Sequence, residues 1–205
     1  RAVAQAIRMG IVSPVLIGSE EQIKSIADKE GVSLEGVRII SSVASPERQK
    51  YAKALADATG LPEAATGIMM KTPLYFAAMM VHEGDADSII AGIETETDEV
   101  IATYKMIIGM DEGISTPSSL AIIETQHYEG PDGNIVCLAD TAINIDPTES
   151  ELADIAISSA RSVRKLFGWE PRVAMLSFST FGSSGDKKAH KIAAAVTAAN
   201  AREPQ

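Results

Sequence analysis

Two polar stretches in the second half of the chain carry side chains that suit an anion-binding site. Asp140 and Asn144 directly follow the apolar run 135–139. A loop rich in hydroxyl groups, residues 177–184 (the serine loop), directly follows the apolar run 173–176. Hydroxyl groups, small glycines and free backbone N–H groups together favour phosphate or other anionic oxygens, although a surface loop without a ligand has the same composition. The candidate binding residues of the serine loop are Ser177, Ser179, Thr180, Gly182 and Ser183.

The elements around these stretches are predicted to form a β–α–β crossover. Both apolar runs are short and uninterrupted, which predicts strands that are buried on both faces. Between them, Thr148 is a suitable N-cap, and the apolar spacing over 152–166 predicts an amphipathic helix that ends at Gly168. Strands joined by such a crossover run parallel, so their carboxyl ends lie at one edge of the sheet. The sequence therefore predicts that Asp140 and Asn144 share one rim with the serine loop.

Strands and helices alternate along the rest of the chain, which predicts an α/β protein. Ser19, Ser45 and Thr72 each precede a run that is typical of a helix start. The turn-rich segment 129–134 predicts a hairpin, so the sheet is expected to be mixed rather than wholly parallel. The further strands are predicted at residues 14–18, 37–40, 88–92 and 120–124.

The length of 205 residues allows one large or two small domains. A boundary is predicted near residues 111–116, where the hydroxyl-rich turn 113–119 begins, with a first α/β subdomain at 1–112 and a second at 113–205. The chain begins within a predicted helix without an initiator methionine, and it ends after a helix with no strand following. We therefore expect it to be a piece of a longer protein.

The composition argues against several classes of function. The net charge of −10 does not suit a nucleic-acid surface. No apolar run approaches the roughly 18 residues that span a bilayer, and no signal peptide is visible. The single cysteine excludes an internal disulfide framework and suits a reducing compartment such as the cytoplasm. Because Cys137 falls inside an apolar run, we interpret it as a packing residue.

Motifs for other chemistries are absent from the sequence. His82, His127 and His190 are far apart and lie in no cluster with Cys or carboxylates, so no metal site is expected. A GxGxxG or Walker loop would indicate a dinucleotide-binding fold or a P-loop kinase, and neither motif is present. A GxSxG elbow, which marks many serine hydrolases, is also missing.

Three sequence blocks resemble the phosphate acetyltransferase/butyryltransferase family. They are LADTAINIDPT at 138–148, ELADIAI at 151–157 and EPRVAMLSFS at 170–179. The blocks fall in the order that the family shows, and together they are specific. Shorter parts of the family pattern lie at 75–81, 84–87 and 113–119, so the resemblance covers nearly the whole chain.

This resemblance implies an enzyme that transfers an acyl group between coenzyme A and phosphate, usually converting acetyl-CoA and phosphate to acetyl phosphate and CoA. The implied fold is a three-layer αβα arrangement with a mostly parallel, mixed sheet, in two subdomains with the active site in the cleft between them. A cytoplasmic homodimer is implied, with acetyl-CoA and phosphate as substrates and no further cofactor.

The resemblance also implies roles for individual residues. The serine loop corresponds to the phosphoryl side of the site, Asp140 and Asn144 to the neighbouring strand end, and Thr97 and Ser115 to the opposite wall. No catalytic residue is assigned, because the family's catalytic Ser-Arg pair and Asp lie in a segment beyond residue 205. Ile101 stands about where active members commonly carry an Arg.

A second resemblance leaves an alternative function open. The stretch SFSTFGS at 177–183 is similar to a block in the C-terminal domain of bacterial malic enzymes, which senses acetyl-CoA and is not an enzyme. That similarity implies a non-catalytic, acetyl-CoA-binding regulatory domain. A further alternative is a transferase specific for butyryl groups.

Overall fold

The protein has a mixed α/β structure, in which helices alternate with short strands along the chain. The structure is a computed structural model that describes residues 1–131, 133–180 and 183–204. The chain divides into two units, Arg1–Gly109 and Met110–Gln205. The boundary predicted from the sequence lies after Glu112. Within the described residues, no helix is both long enough and apolar enough to cross a lipid bilayer.

The first unit contains one short parallel pair of strands together with helices. Leu16 lies opposite Ile39 in this pair, which confirms the strands predicted at 14–18 and 37–40. The elements are α1 (Ala2–Arg8), β1 (Val15–Ile17), α2 (Glu20–Lys29), β2 (Arg38–Ile40), α3 (Glu47–Thr59), α4 (Glu63–Met69), α5 (Pro73–His82) and α6 (Thr97–Ile107).

The core of the first unit is built from α3, α5 and the end of α4. Tyr51, Met70, Phe76 and Met79 are almost completely buried there. The rings of Tyr51 and Phe76 pack edge to face with their centroids 5.1 Å apart, a favoured geometry for aromatic pairs. The Tyr51 hydroxyl donates to Asp85 Oδ2 at 2.6 Å, so this polar group is satisfied.

The strand predicted at 88–92 is not formed. These residues have no strand structure, and the side chain of Ile90 is 94% exposed. The apolar run is only a few residues long, and no described strand pairs with it. The prediction was wrong because an apolar run indicates a capacity for burial but does not supply the neighbouring strand that a sheet requires.

The second unit contains an antiparallel hairpin and two long helices. Ile122 lies opposite Cys137 in the hairpin, and Thr125 N donates to Asn134 O at 2.8 Å next to it. The predicted hairpin is therefore confirmed, apart from Asp132, which lies outside the described residues. The elements are β3 (Ala121–Glu124), β4 (Ile135–Leu138), α7 (Glu149–Phe167) and α8 (Lys187–Arg202), and α7 packs against α8.

The β–α–β crossover predicted in the second unit is not formed. Residues 173–176 have no strand structure, and the side chain of Leu176 is 82% exposed. The strand β4 pairs antiparallel with β3, and its residues are partly buried or, at Leu138, exposed rather than buried on both faces. The described strands thus form one parallel and one antiparallel pair instead of a mostly parallel sheet. The hairpin partner is close in the sequence, whereas a crossover partner must be reached across a whole helix.

Two helices begin at hydroxyl caps as predicted. The side chain of Ser19 accepts a hydrogen bond from Gln22 N at the start of α2. At the start of α7, Thr148 and Glu151 form a reciprocal capping box, in which each side chain accepts from the backbone N–H of the other. The helix α7 ends at Gly168, whose φ of 69° is a left-handed conformation that glycine adopts without strain.

Prolines mark other helix starts in the first unit. The helix α3 begins after Pro46, and α5 begins with Pro73, preceded by Thr72, whose side chain makes no capping hydrogen bond. The helix α4, which the sequence analysis did not predict, follows Pro62. The fixed φ of proline suits the first turn of a helix, where a backbone N–H has no helical partner.

Candidate functional site

Asp140 is the hydrogen-bonding centre of the loop that follows β4. Its Oδ1 accepts from the N–H and the hydroxyl of Ser119, from Ala142 N at 3.1 Å and from Ile143 N at 3.2 Å. Its Oδ2 accepts from the backbone N–H of Asn144 at 2.7 Å and from the side-chain amide of the same residue. A carboxylate offers roughly four lone-pair sites, so these donors occupy it fully. Asp140 therefore shapes the loop and has no oxygen left for a ligand.

The ionisation of Asp140 follows from these contacts. Partial burial raises the pKa of Asp140, but the hydrogen bonds from Ser119, Ala142 and Asn144 lower it by more, so the pKa lies well below its ordinary value of 3.8. The carboxylate is therefore charged at neutral pH. A group with such a low pKa is a weak proton acceptor, which argues against a role as a general base.

Asn144 is held in one orientation by the same network. Its Nδ2 donates to Asp140 Oδ2 and to the backbone oxygen of Pro117, the latter at 2.9 Å. Because both partners are acceptors, the assignment of the amide nitrogen is fixed. The Oδ1 of Asn144 has no donor among the described residues, so it is a fixed acceptor that can serve a ligand.

Ser115 contacts a buried carboxylate on α7. Its backbone N–H and its hydroxyl both donate to Asp154 Oδ2 at 2.9 Å, and Thr116 N donates to the same oxygen at 3.0 Å. Arg202 pairs with Asp154 Oδ1 at 2.7 Å. Burial raises the pKa of Asp154, but the contacts with Ser115, Arg202 and Thr116 outweigh it and lower the pKa to about 2. The hydroxyl hydrogen of Ser115 is thus already donated and cannot be donated to a substrate.

The hydroxyl groups of the serine loop are used differently. Ser177 Oγ accepts from Ser179 N at 2.9 Å, and Ser179 Oγ accepts from Ser184 N at 3.1 Å. Each of these oxygens is an acceptor, and the hydroxyl hydrogens of Ser177 and Ser179 have no acceptor among the described residues. The loop can therefore donate hydrogen bonds to an anion.

The remaining candidates of the loop are exposed or undescribed. Ser183 N donates to Thr180 O at 3.0 Å, and both residues are exposed. The candidate Gly182 and its neighbour Phe181 lie outside the described residues. Thr97 is the first residue of α6 in the first unit, where it is exposed, and its predicted place on the opposite wall of the site stays a prediction.

A cavity of about 670 Å³ in the second unit lies beside both polar stretches. Its lining includes Ala139 and Thr141, which flank Asp140, and Leu176, which precedes Ser177. Both stretches therefore begin at one cavity, even without the predicted crossover. No hydrogen bond among the described residues joins the serine loop to Asp140, so the shared rim stays a prediction.

The lysine side chains that follow the serine loop in the sequence are only partly available to an anion. Asp186 caps α8, and its side chain accepts from Lys188 N at 2.7 Å, so a carboxylate already lies at this helix N-terminus. Lys191 donates to Asp146 Oδ1 at 2.6 Å and lowers the pKa of that carboxyl. Lys187 is exposed in the first turn of α8. The hydroxyl groups are thus the donors that the loop itself can direct at an anion.

Three residues of these networks were not predicted from the sequence. Ser119 lies in the family block 113–119 but was not singled out there, and Arg202 gave no signal. Asp154 gave a weak signal, because it is an acid between Ala153 and Ile155, which are apolar and buried on α7. An acid among buried apolar residues on a helix indicates a paired carboxylate.

Comparison with models of known protein families assigns this chain to one family. The family model described as phosphate acetyl/butaryl transferase matches residues 1–205. The chain belongs to this family. The resemblance found in the sequence blocks is therefore confirmed.

Individual members of the family show the same relationship. The chain is 37% identical over 175 residues to a phosphate acetyltransferase of Treponema pallidum, with 83% of this chain and 52% of that protein covered. It is 33% identical over 208 residues to the enzyme of Acetivibrio thermocellus, with 100% and 62% covered. The chain thus spans little more than half the length of these relatives.

Solved phosphotransacetylase structures share the fold. The EutD phosphotransacetylase from Staphylococcus aureus superposes with a TM-score of 0.86 at 27% identity, over 98% of this chain and 59% of that one. A phosphotransacetylase from Streptococcus pyogenes gives a TM-score of 0.86 at 29% identity, over 100% and 61%.

Proposed function

We propose that this chain is part of a phosphate acetyltransferase, which transfers an acetyl group between coenzyme A and inorganic phosphate. The observation that carries the proposal is the similarity to relatives named phosphate acetyltransferase, at 31 to 37% identity. The family match over residues 1–205 supports the same reaction class.

The phosphate substrate is an anion, and the serine loop has hydroxyl groups that can bind it. A phosphate oxygen attacks the thioester carbonyl carbon, a C–O bond forms, the C–S bond breaks and CoA leaves as a thiolate that then takes up a proton. Phosphate needs donors that hold it in line with the carbonyl carbon. In the proposal, the hydroxyl groups of Ser177, Ser179, Thr180 and Ser183 bind the phosphate oxygens.

Asn144 and Asp140 have separate roles in the proposed site. The fixed Oδ1 of Asn144 accepts a hydrogen bond from an N–H or O–H group of a bound substrate. Asp140 holds Asn144 in place, and its occupied oxygens and low pKa exclude it as the base of the reaction. The general base of the reaction, and the donors that stabilise the oxyanion, must therefore be other groups.

The finer architecture belongs to the same proposal. We propose a three-layer αβα arrangement with a cleft between subdomains 1–112 and 113–205, in which Thr97 and Ser115 form the wall opposite the serine loop. A homodimer in the cytoplasm is also proposed. The TM-scores of 0.86 with solved phosphotransacetylases support the family architecture.

The direct test is phosphate-dependent release of CoA from acetyl-CoA by the intact protein. Free thiol is measured with a chromogenic reagent, and acetyl phosphate is trapped as the hydroxamate. We expect both products in equal amounts, with no CoA release when phosphate is left out. The variant Asn144→Ala is expected to lower turnover at least tenfold, while a melting curve shows the same fold.

A matched control and a contrasting outcome complete this test. Asn200 is an exposed asparagine on α8, so Asn200→Ala should leave turnover unchanged. If Asn144→Ala and Asn200→Ala have equal turnover, the proposed site is wrong. Tight binding of acetyl-CoA without any turnover would instead support the regulatory-domain hypothesis.

A further inference from the structure

Asp154 is the one charged residue that is buried among the described residues, with 3% of its surface exposed. A buried carboxylate is unfavourable unless donors and a cation surround it. Here, three donors from Ser115 and Thr116 occupy Oδ2, and Arg202 pairs with Oδ1. Arg202 also donates to the backbone oxygen of Gly113 at 2.7 Å. Asp154 and Arg202 together therefore hold the main chain at both ends of the stretch 113–116.

The same segment continues into the contacts of the loop after β4. Directly after Thr116, the backbone oxygen of Pro117 accepts from Asn144 Nδ2, and two residues later Ser119 donates twice to Asp140. Segment 113–119 is thus held from α7 by Asp154 and from the loop by Asp140. The Pro117 oxygen, one of the two acceptors that orient Asn144, therefore lies in a main-chain segment that both carboxylates hold.

We propose that Asp154 is a positioning residue for Asn144: it fixes the main chain at Ser115 and Thr116 so that the Pro117 oxygen orients the Asn144 side chain. The kinetic part of this inference rests on the proposed function, whereas the structural coupling does not. Asp154 is assigned a positioning role because it is buried and both of its oxygens already have protein partners. A purely structural ion pair would stabilise the fold without controlling the orientation of Asn144.

The first experiment measures this coupling without enzymatic activity. The side-chain amide signal of Asn144 is identified in a ¹H–¹⁵N NMR spectrum by its loss in Asn144→Ala. We expect Asp154→Asn to shift or broaden this signal, because an amide has one acceptor oxygen in place of two, so either the donors of Ser115 and Thr116 or Arg202 loses its partner. An unchanged Asn144 signal in folded Asp154→Asn protein would overturn the inference.

A neighbouring arginine supplies the matched control for this measurement. Arg161 on α7 pairs with Asp111 and Glu203 and donates to the backbone oxygen of Glu112, and none of its described hydrogen bonds or ion pairs reaches residues 115–119. Arg161→Gln therefore removes a nearby charged contact of the same helix and should leave the Asn144 signal in place. An equal shift in Arg161→Gln would show a general loosening of α7 and would also overturn the inference.

A second variant covers the case in which Asp154→Asn does not fold. Ser115→Ala removes one donor and leaves the carboxylate with both backbone N–H groups and Arg202. It should shift the Asn144 signal in the same direction by a smaller amount. An unchanged signal would count against the inference in the same way.

The second experiment is a double-mutant cycle on the reaction. Asp154→Asn should lower kcat/KM about tenfold in the wild-type background and by less than about threefold in the Asn144→Ala background, since coupled residues are not additive. Equal losses in both backgrounds would overturn the inference. If the intact protein shows no phosphate-dependent CoA release, the proposed function fails, and the NMR measurement alone decides the role of Asp154.

Discussion

The loop after β4 and the serine loop have similar polar compositions, yet the structure uses their side chains in opposite ways. In the loop after β4, nearby donors occupy both oxygens of the Asp140 carboxylate. Of the two candidate residues there, Asn144 keeps an acceptor, its Oδ1, without a donor among the described residues. In the serine loop, Ser177 and Ser179 accept backbone N–H groups and keep their hydroxyl hydrogens. The first loop is therefore built for rigidity, and the second retains donors for a ligand.

This difference shows that a polar residue near a site has two separate properties. One is whether its hydrogen-bonding capacity is used within the protein, and the other is where it lies. Asp140 and Ser179 both follow apolar runs, but substitution of the first should mainly affect stability and substitution of the second should mainly affect turnover.

The largest effect is expected from removing the Asp140 carboxylate. Asp140→Ala leaves the backbone N–H groups of Ser119, Ala142, Ile143 and Asn144 without their acceptor. We expect the free energy of unfolding to fall by about 2 to 4 kcal/mol, because unsatisfied donors cost more than an average hydrogen bond. Urea denaturation measures this change.

The control for that prediction is an exposed carboxylate in the same loop. Asp146 is exposed and pairs with Lys191, so Asp146→Ala should lower the urea midpoint by much less than Asp140→Ala does. Equal losses for the two variants would show that Asp140 is not the organising residue of the loop.

Acid should weaken the second unit through its two carboxylate networks. The pKa values of Asp140 and Asp154 are lowered in the folded protein, so the unfolded chain takes up these protons first as the pH falls. The stability they contribute is complete above the ordinary pKa of 3.8 and is lost as the pH falls from there towards 2. The urea midpoint measured at pH 3 should therefore be lower than the midpoint measured at pH 5.

Two variants locate the origin of this acid sensitivity. Asp154→Asn should lose less stability between pH 5 and pH 3 than the wild type does, because one of the two linked carboxylates is gone. Ser179→Ala should follow the wild-type pH dependence, since the serine loop contains no titratable side chain. A midpoint that stays constant in the wild type would contradict the carboxylate explanation.

Ser179→Ala should separate turnover from stability. Ser179 is half-buried, and its oxygen is fixed by Ser184 N, so its hydroxyl has a defined direction. We expect turnover to fall at least tenfold while the free energy of unfolding changes by less than about 1 kcal/mol. Exposed Ser25 on α2 provides the control variant Ser25→Ala. Full turnover in Ser179→Ala would remove this loop from the site.

The smallest effect is expected at Thr180. Its side chain is exposed and has no hydrogen-bond partner among the described residues, so its direction is less defined than that of Ser179. Thr180→Val keeps the shape and removes the hydroxyl. It should raise the KM for phosphate about threefold, which corresponds to the binding free energy of one neutral hydrogen bond. Initial rates at varied phosphate concentration measure this change, and an effect larger than that of Ser179→Ala would reverse the ranking.

Local signals in the sequence determined much of the secondary structure. The starts of α2 and α7, the end of α7 at Gly168 and the β3–β4 hairpin were predicted correctly. Each depends on residues close together in the chain, such as a hydroxyl and a backbone N–H three positions apart, or a turn that joins adjacent strands. The family blocks likewise depend on the order of residues alone.

Tertiary structure alone decided which strands pair and which polar groups are hydrogen-bonded within the protein. The runs 88–92 and 173–176 have the composition of strands, but pairing requires a partner brought by the fold, and none of the described strands pairs with them. The contacts that set the chemistry join Ser115 to Asp154 across 39 positions and Ser119 to Asp140 across 21. Such distant pairings depend on how helices and loops pack. The residue type specifies which partners a side chain can bind, but only the packing brings one particular partner within reach.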